Sequence, residues 1–382
     1  LPQFAGMTRD PEGNYYLLFT RQNKDGDFSP NVKLVRYSKD GVETGNFDLP
    51  IGRDGGFDVM RQGYTARVLW ADGRIAVHMG KTQHKNRGDG LNHQSAIFFV
   101  VDALQMTLLE KESMKATASH SFDQRMIFDG SHFVNLDLAD NYPRGFHLTK
   151  NKKGKVIFTF KTKHSNVAAT RGGKRIPAGK WSNDNRTYSE LGSLAPAPGG
   201  YLVLGASEKS LDNDTAESYL NESRNLFVVL ADKDFGEKPV IDYKGKRQVN
   251  MVSPEVVISP GAASKIINFY TFGGDIQYQQ RRGVVWLTDY SDSKKENAVK
   301  PRLVKSGEDR YTVIWEKWTD KDYVMTYGME INSQGKVLSG PEELGALRIN
   351  RGDDPVIFRD EMVWVTGNKA KKTLRIHRLT TK

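Results

Sequence analysis

Cysteine is absent from the 382 residues. No disulfide, thiolate nucleophile or cysteine-ligated metal can form, so the fold must be held by burial and hydrogen bonding. Long apolar runs are missing too. None approaches the roughly 20 residues that a membrane-crossing helix needs. There is no phosphate loop, no dinucleotide fingerprint and no Gly-x-Ser-x-Gly nucleophile turn, which removes the common nucleotide-binding and serine-hydrolase classes. The basic residues form no arm and no recognition helix. They are spread along the chain, with short clusters at 150–155 and 369–372. The net charge of +10 therefore reads either as solubility or as attraction to a polyanion such as an acidic glycan or an anionic surface, and argues against nucleic acid. The chain starts at Leu1 rather than Met and shows no signal peptide. A processed N-terminus and an extracellular or periplasmic location are the expectation, with the cytoplasm left open.

What the sequence does have is one sentence repeated. Arg125 to Leu136 reads as a strand, an Asp129-Gly130 turn and a second strand. Asp-Gly between apolar runs marks a hairpin, because the turn needs positive φ and glycine supplies it without a Cβ clash. Residues 68–77 repeat the sentence around Asp72-Gly73, and 303–315 repeat it around Gly307. Looser copies turn at Gly13, at Gly199-Gly200 and at Gly261. The last turns at Asp360, with Glu361 where glycine is expected. Seven copies built from short strands predict an all-β fold, a β-propeller of seven blades with about four antiparallel strands each, forming one domain over 1–382. Six blades is the alternative, if the fifth unit (255–258, 266–271 and 284–288) is not independent. Resemblance is to the β-propeller superfamily at the level of fold only, since Trp-Asp, kelch and Asp-box signatures are absent. The fourth strand of the fourth blade is expected near 240–243, and the last blade is expected to borrow its fourth strand from another part of the chain.

In such a scaffold the loops entering each first strand share a face with the loops joining second and third strands, and loops on a rigid frame carry function. That face receives His93, Arg144, Gln277, Tyr278 and Arg282 from the joining loops. It receives Arg53, Asp58, His120, Arg186, Tyr188, Asp353 and Asp354 from the entering loops, with His147 at the start of a third strand. These types predict a polar, cationic site for an acidic or polyhydroxylated ligand such as a glycan. Arginine forks bind carboxylates, and Arg144, Arg186, Arg125, Tyr278, Arg282 and Trp181 are the candidate ligand contacts. Trp181 and Trp318 read as loop tryptophans that could stack on a sugar. If the chain is an enzyme, His120, His93 or His147 would serve as base and Tyr188 as acid beside an Arg-neutralised carboxylate. In residue types this is similar to the propeller polysaccharide lyases that act on uronic-acid polymers, and a hydrolase on the same face is the related reading. A protein-interaction scaffold is the third.

No cofactor is expected. Asn23 to Asp27 resembles the start of a calcium loop but lacks the distal Glu, so a polar turn is the better reading. His93, His120 and His147 show no local metal spacing. Finally, Arg67, Arg125, Glu255, Arg302 and Asp354, with Glu190, hold equivalent places on the first strands. This predicts either an ion-pair ring around a wet channel or the floor of the ligand pocket.

Overall fold

The structure, a computed structural model, describes residues 3–21, 29–50, 57–59, 66–83, 94–114, 117–118, 121–139, 145–159, 169–171, 174–176, 189–209, 222–233, 265–271, 274–280, 284–368 and 370–381. Among the described residues all regular elements are strands. The first sheet runs β1 (Gln3–Arg9), β2 (Tyr15–Thr20), β3 (Val32–Tyr37) and β4 (Glu43–Asp48) in sequence order. The second holds β5 (Phe57–Val59), β6 (Arg67–Ala71), β7 (Arg74–Gln83), β8 (Gln94–Asp102) and β9 (Thr107–Leu108), with β5 and β6 both paired to β7. The third runs β10 (Ser121–Phe128), β11 (Phe133–Ala139), β12 (Gly145–Lys150) and β13 (Lys153–Thr159). A two-stranded hairpin, β14 (Ala169–Arg171) with β15 (Lys174–Ile176), follows. The fourth sheet is β16 (Glu190–Ala197), β17 (Gly200–Ser207), β18 (Asn225–Asp232) and β21 (Val284–Trp286), with the hairpin of β19 (Lys265–Thr271) and β20 (Gly274–Gln280) inserted before β21. The fifth is β22 (Asn297–Gly307), β23 (Arg310–Trp318), β24 (Tyr323–Ile331) and β25 (Val337–Gly345). The sixth is β26 (Val356–Phe358), β27 (Glu361–Asn368) and β28 (Thr373–Thr380).

These are six antiparallel meanders, the strand order of a six-bladed β-propeller. The expectation of seven is corrected at the fifth repeat. Its 266–271 strand pairs with β20, in a stretch expected to be a loop, and its 284–288 strand joins β18 as the outer strand of the fourth sheet. The reason is burial on both faces. Val284 is buried, Val285 packs on the core of the fourth and fifth sheets, and Trp286 meets Phe227 edge-on at 5.4 Å. The strands expected at 240–243 and 255–258 lie outside the described residues. Among the described residues β28 pairs with β27 alone, so the borrowed fourth strand of the last blade is not found among them.

The hairpin turns follow the expected chemistry in part. Asp72 and Gly73 both take positive φ (50° and 70°), the two-residue turn that matches strand twist. The last repeat uses Arg359 and Asp360 at φ 51° and 61°, so Glu361 is already the first residue of β27 rather than a turn position.

Contacts divide the chain into two compact units. The first comprises 1–141 and 147–154, the second 142–146 and 155–382, so the divide passes through the third sheet. In the first unit, Leu18, Leu34, Ile75, Val77 and Phe99 form the core between the first and second sheets, and Ala76, Phe98, Val100 and Phe133 that between the second and third. In the second, Leu202, Leu204, Val228, Val313 and Trp315 fill the space between the fourth and fifth sheets. Ile314, Met362 and Trp364 join the fifth to the sixth. Every residue of β17 is buried. Gly205 on it is required by close approach, because a Cβ there would lie 2.4 Å from the Phe146 ring and 2.6 Å from that of Phe227.

Within each unit the first strands of successive sheets lie side by side. Ala66 N–H donates to the Ala5 carbonyl at 3.0 Å, and Trp70 N–H to Thr8 Oγ1 at 3.0 Å. In the second unit Leu303 N–H donates to Ser193 Oγ at 3.0 Å, and the Tyr311 hydroxyl donates to the Pro196 carbonyl at 2.9 Å. Burial, with the charge of Asp309, pushes the Tyr311 hydroxyl from its ordinary 10.0 up to about 12. An unfolded tyrosine ionises first, so this contribution is complete below pH 10 and lost as pH rises through about 12. Tyr311→Phe is expected to cost about 1 kcal/mol at neutral pH and to flatten the alkaline fall in urea midpoint. An unchanged alkaline profile in the variant would reject the assignment.

Candidate functional site

The leading end of each blade is where its first strand begins and its second strand ends. In the fifth sheet Asn297 pairs with Trp318 there, and the two central strands are joined by only Thr319 to Asp322. Alternation along β23 turns Ile314, Glu316 and Trp318 to one face. Glu316 is fully buried and Trp318 half-buried.

A carboxylate in that position must be compensated, and five donors do so. Ile349 N–H donates to Oε1 at 2.7 Å, Arg348 Nε to Oε1 at 3.1 Å and Arg348 Nη2 to Oε2 at 3.3 Å. Lys300 Nζ donates to Oε1 at 3.1 Å and the Trp318 indole N–H to Oε2 at 2.7 Å. Burial alone raises the Glu316 carboxyl. The Ile349 amide, the Lys300 charge and the Arg348 and Trp318 donors outweigh it, and hold the group below its ordinary 4.5. Glu316 is thus an ionised anchor, not a poised acid.

Above it sits a surface of mixed character. The Arg348 guanidinium lies 4.3 Å from the Tyr323 ring centroid and 5.2 Å from that of Trp318, and Lys300 Nζ lies 5.9 Å from Trp318. Trp318 and Tyr323 meet edge to face at 6.1 Å. The Arg348 side chain is 46% exposed. Two cations thus share one buried carboxylate, beside two aromatic rings.

The segment carrying Arg348 is held from below. Arg302, 1% exposed, donates through Nη2 to the Asn350 and Arg351 carbonyls (2.9 and 2.5 Å), through Nε to that of Asp353 (3.2 Å) and through Nη1 to that of Pro301 (2.7 Å). Asp354 Oδ1 lies 3.7 Å away. Glu190 Oε2 accepts from Lys300 N–H at 2.5 Å.

In the first unit the leading ends carry a buried polar layer. Arg125, 1% exposed, donates to Asp123 Oδ1 at 2.5 Å and to the Gln124 carbonyl at 2.6 Å. Arg67 Nε donates to the same carbonyl at 2.8 Å. His78, fully buried, has Nδ1 3.3 Å from the Arg125 carbonyl. Its Nε2 lies 3.2 Å from Asp137 Oδ1, and Ser121 Oγ donates to that same oxygen at 2.8 Å. Asp137 Oδ2 and Asn135 Oδ1 are buried without a hydrogen-bond partner.

No protein-family model matches this sequence, and no curated protein matches it. Solved structures do show a likeness over most of the chain. The alpha-L-arabinanase of Cellvibrio cellulosa complexed with arabinohexaose is 9% identical, covers 88% of this chain and 96% of its own, and has a TM-score of 0.34. A GH43 endo-arabinanase from Bacillus licheniformis is 9% identical, with 87% and 94% covered and a TM-score of 0.29. A protein of unknown function from Dyadobacter fermentans is 10% identical, with 87% and 95% covered and a TM-score of 0.33. No residue is carried over from them to this chain.

Of the residues the sequence singles out, His120, His93, Tyr188, Arg144, Arg186, Arg282 and Trp181 lie outside the described residues, as do Glu255 and the Asn23 to Asp27 loop. Tyr278 and Gln277 stand on β20 rather than in a loop. His147 is half-buried on β12. Arg125 is turned inward onto Asp123, where it organises the blade rather than facing solvent. The expected ring of first-strand charges divides likewise. Arg67, Arg125 and Arg302 each donate to backbone carbonyls, Arg67 and Arg302 those of the next blade's leading segment. Trp318, expected in a loop, is instead the last residue of strand β23, at the leading end. Glu316, Tyr323, Arg348 and Lys300 went unrecognised. The available signal was a glutamate between two tryptophans, directly after the apolar run Val313 to Trp315. Among the described residues no group of three His, Asp or Glu is placed to hold a metal ion, and no helix is long and apolar enough to cross a membrane.

Proposed function

We propose that this chain is an exported ligand-binding β-propeller, acting as one domain, whose leading-end face takes an acidic or polyhydroxylated ligand such as a glycan. The observation that carries the reading is the Arg348–Trp318–Tyr323 arrangement over Glu316. Sugars offer apolar C–H faces that pack on aromatic rings, and hydroxyl or carboxylate groups that pair with guanidinium and ammonium donors. Both kinds of contact are available here within one short stretch of surface. Anchoring by Glu316 and Arg302 sets the donors in advance, which lowers the ordering cost of binding.

Turnover is the second reading, a lyase or hydrolase drawing on His120, His93, His147, Tyr188, Arg144 and Arg186. Glu316 does not support a general-acid role at the fifth sheet, since it is ionised and saturated with donors. One screen tests both readings. Acidic and neutral oligosaccharides are added, and thermal stabilisation is read alongside the ultraviolet absorbance of the unsaturated uronic acid that a lyase would release. Stabilisation without absorbance growth is expected. Arg348→Ala and Trp318→Ala should each weaken binding about tenfold or more, the loss of at least one charge-assisted or stacking contact. If no saccharide stabilises the folded chain, the glycan reading fails. Absorbance growth abolished by His120→Ala or Tyr188→Phe would make the chain an enzyme.

A further inference from the structure

We propose that the outer edge of the sixth sheet receives an extended acidic segment of a partner protein as its fourth strand. Among the described residues the five preceding sheets have four or more strands, whereas the sixth has β26, β27 and β28. No residue of β28 is buried, and among the described residues no strand pairs with its outer side. A row of backbone donors and acceptors on such an edge is a template for strand addition.

The side chains say what kind of strand fits. Register sets Ile376 opposite Val365, and Leu374 opposite Gly367. It places Val356 opposite Val363, with Phe358 on the same side. Leu374 (78%), Ile376 (65%), Val356 (58%) and Phe358 (51%) are all exposed, so this face of the sheet is apolar and uncovered. The opposite face is the one that packs, through Met362 and Trp364, on Ile314. An added strand continues the apolar face only if every second residue is apolar.

Charge decides the remaining positions. Arg375 stands on the other face of β28, Arg378 ends the apolar row of Leu374 and Ile376, and Lys371 and Lys372 lie just before the strand. The acidic residue opposite the strand, Glu361, is paired with Arg378 at 3.5 Å. A second copy of this chain, pairing β28 with β28, would bring these cations against like charges, which destabilises cross-strand pairs. An incoming segment with Asp or Glu at alternate positions would instead pair with Arg375 while its apolar residues lie beside Leu374 and Ile376. Two other outer edges, β25 and β4, discourage such pairing. β25 carries Pro341, Glu342 and Glu343, and β4 carries Glu43 and Asp48.

The probe is a labelled peptide of alternating glutamate and valine, with an alternating lysine and valine peptide as its counterpart. Anisotropy reads binding, and amide hydrogen exchange reads protection of residues 373–380. The acidic peptide should bind and slow exchange along β28, and added salt should weaken it. The double change Arg375→Glu with Arg378→Glu, at exposed positions, should lower affinity about tenfold or more, read well below the variant's melting temperature because Arg378→Glu sets a second carboxylate beside Glu361. Equal binding of the lysine peptide would overturn the proposal. So would absence of binding, or slow exchange at β28 in the free chain, which would mean that the edge is already covered. Concentration-dependent dimerisation lost in the double variant would assign the edge to a second copy instead.

Discussion

Glu316→Ala is expected to lower the unfolding free energy by about 3–5 kcal/mol, the cost of removing one partner from a buried charge network. The loss is large because Lys300, Arg348, the Trp318 indole and the Ile349 amide all converge on that carboxylate. Without it, two cations are left beside each other at the edge of the core. Glu316→Gln separates shape from charge. It keeps an oxygen for the Ile349 amide but not the pairing with both cations, and should recover part of the stability. The pH dependence follows from the sign of the shift. The carboxyl is held below its ordinary 4.5 in the folded chain, so its contribution is complete above 4.5 and is lost as pH falls through the folded value. Urea midpoints measured from neutral to acid pH should fall more steeply for the native protein than for Glu316→Gln. Parallel curves would mean that the carboxylate contributes nothing as an ion.

Replacing Arg302 by methionine should also cost about 3–5 kcal/mol, since the change strips a buried charge from its partners and leaves carbonyls of Pro301, Asn350, Arg351 and Asp353 without that donor. A planar fork reaches several carbonyls at once, and an ammonium does not, so Arg302→Lys should restore only a fraction. The same change has a second consequence. The 350–353 segment follows directly on Arg348, so loosening it should weaken saccharide binding beyond what lost stability explains. Binding measured well below the variant's melting temperature reads this directly. Because the chain forms two compact units, the denaturation curve should be tested for two steps before a single free energy is taken from it. An Arg302→Met variant with unchanged midpoint and unchanged binding would show that these hydrogen bonds are replaced by solvent.

Much of the architecture was legible in the chain. The Asp72-Gly73 turn, the period-2 strands and the recurrence of the hairpin unit are local signals, and local sterics set them. The blade count was not, because Val284 to Trp286 is the same short apolar run whether it opens a new sheet or closes the previous one. Only Phe227 and the core of the fourth and fifth sheets decide between the two.

The site divides the same way. The sequence by itself determined an all-β, cysteine-free, cationic chain, and it marked Trp318 and the charged first-strand positions. Which of the arginines stay exposed and which are spent on the fold was decided by tertiary structure. Arg125 and Arg302 are chemically equal to Arg348, yet the first two are sealed against backbone carbonyls while the third stands half in solvent over two rings. The physical reason is that a guanidinium's role depends on what surrounds it once desolvated, and that surrounding is assembled from residues about 30 to 50 positions away in the chain.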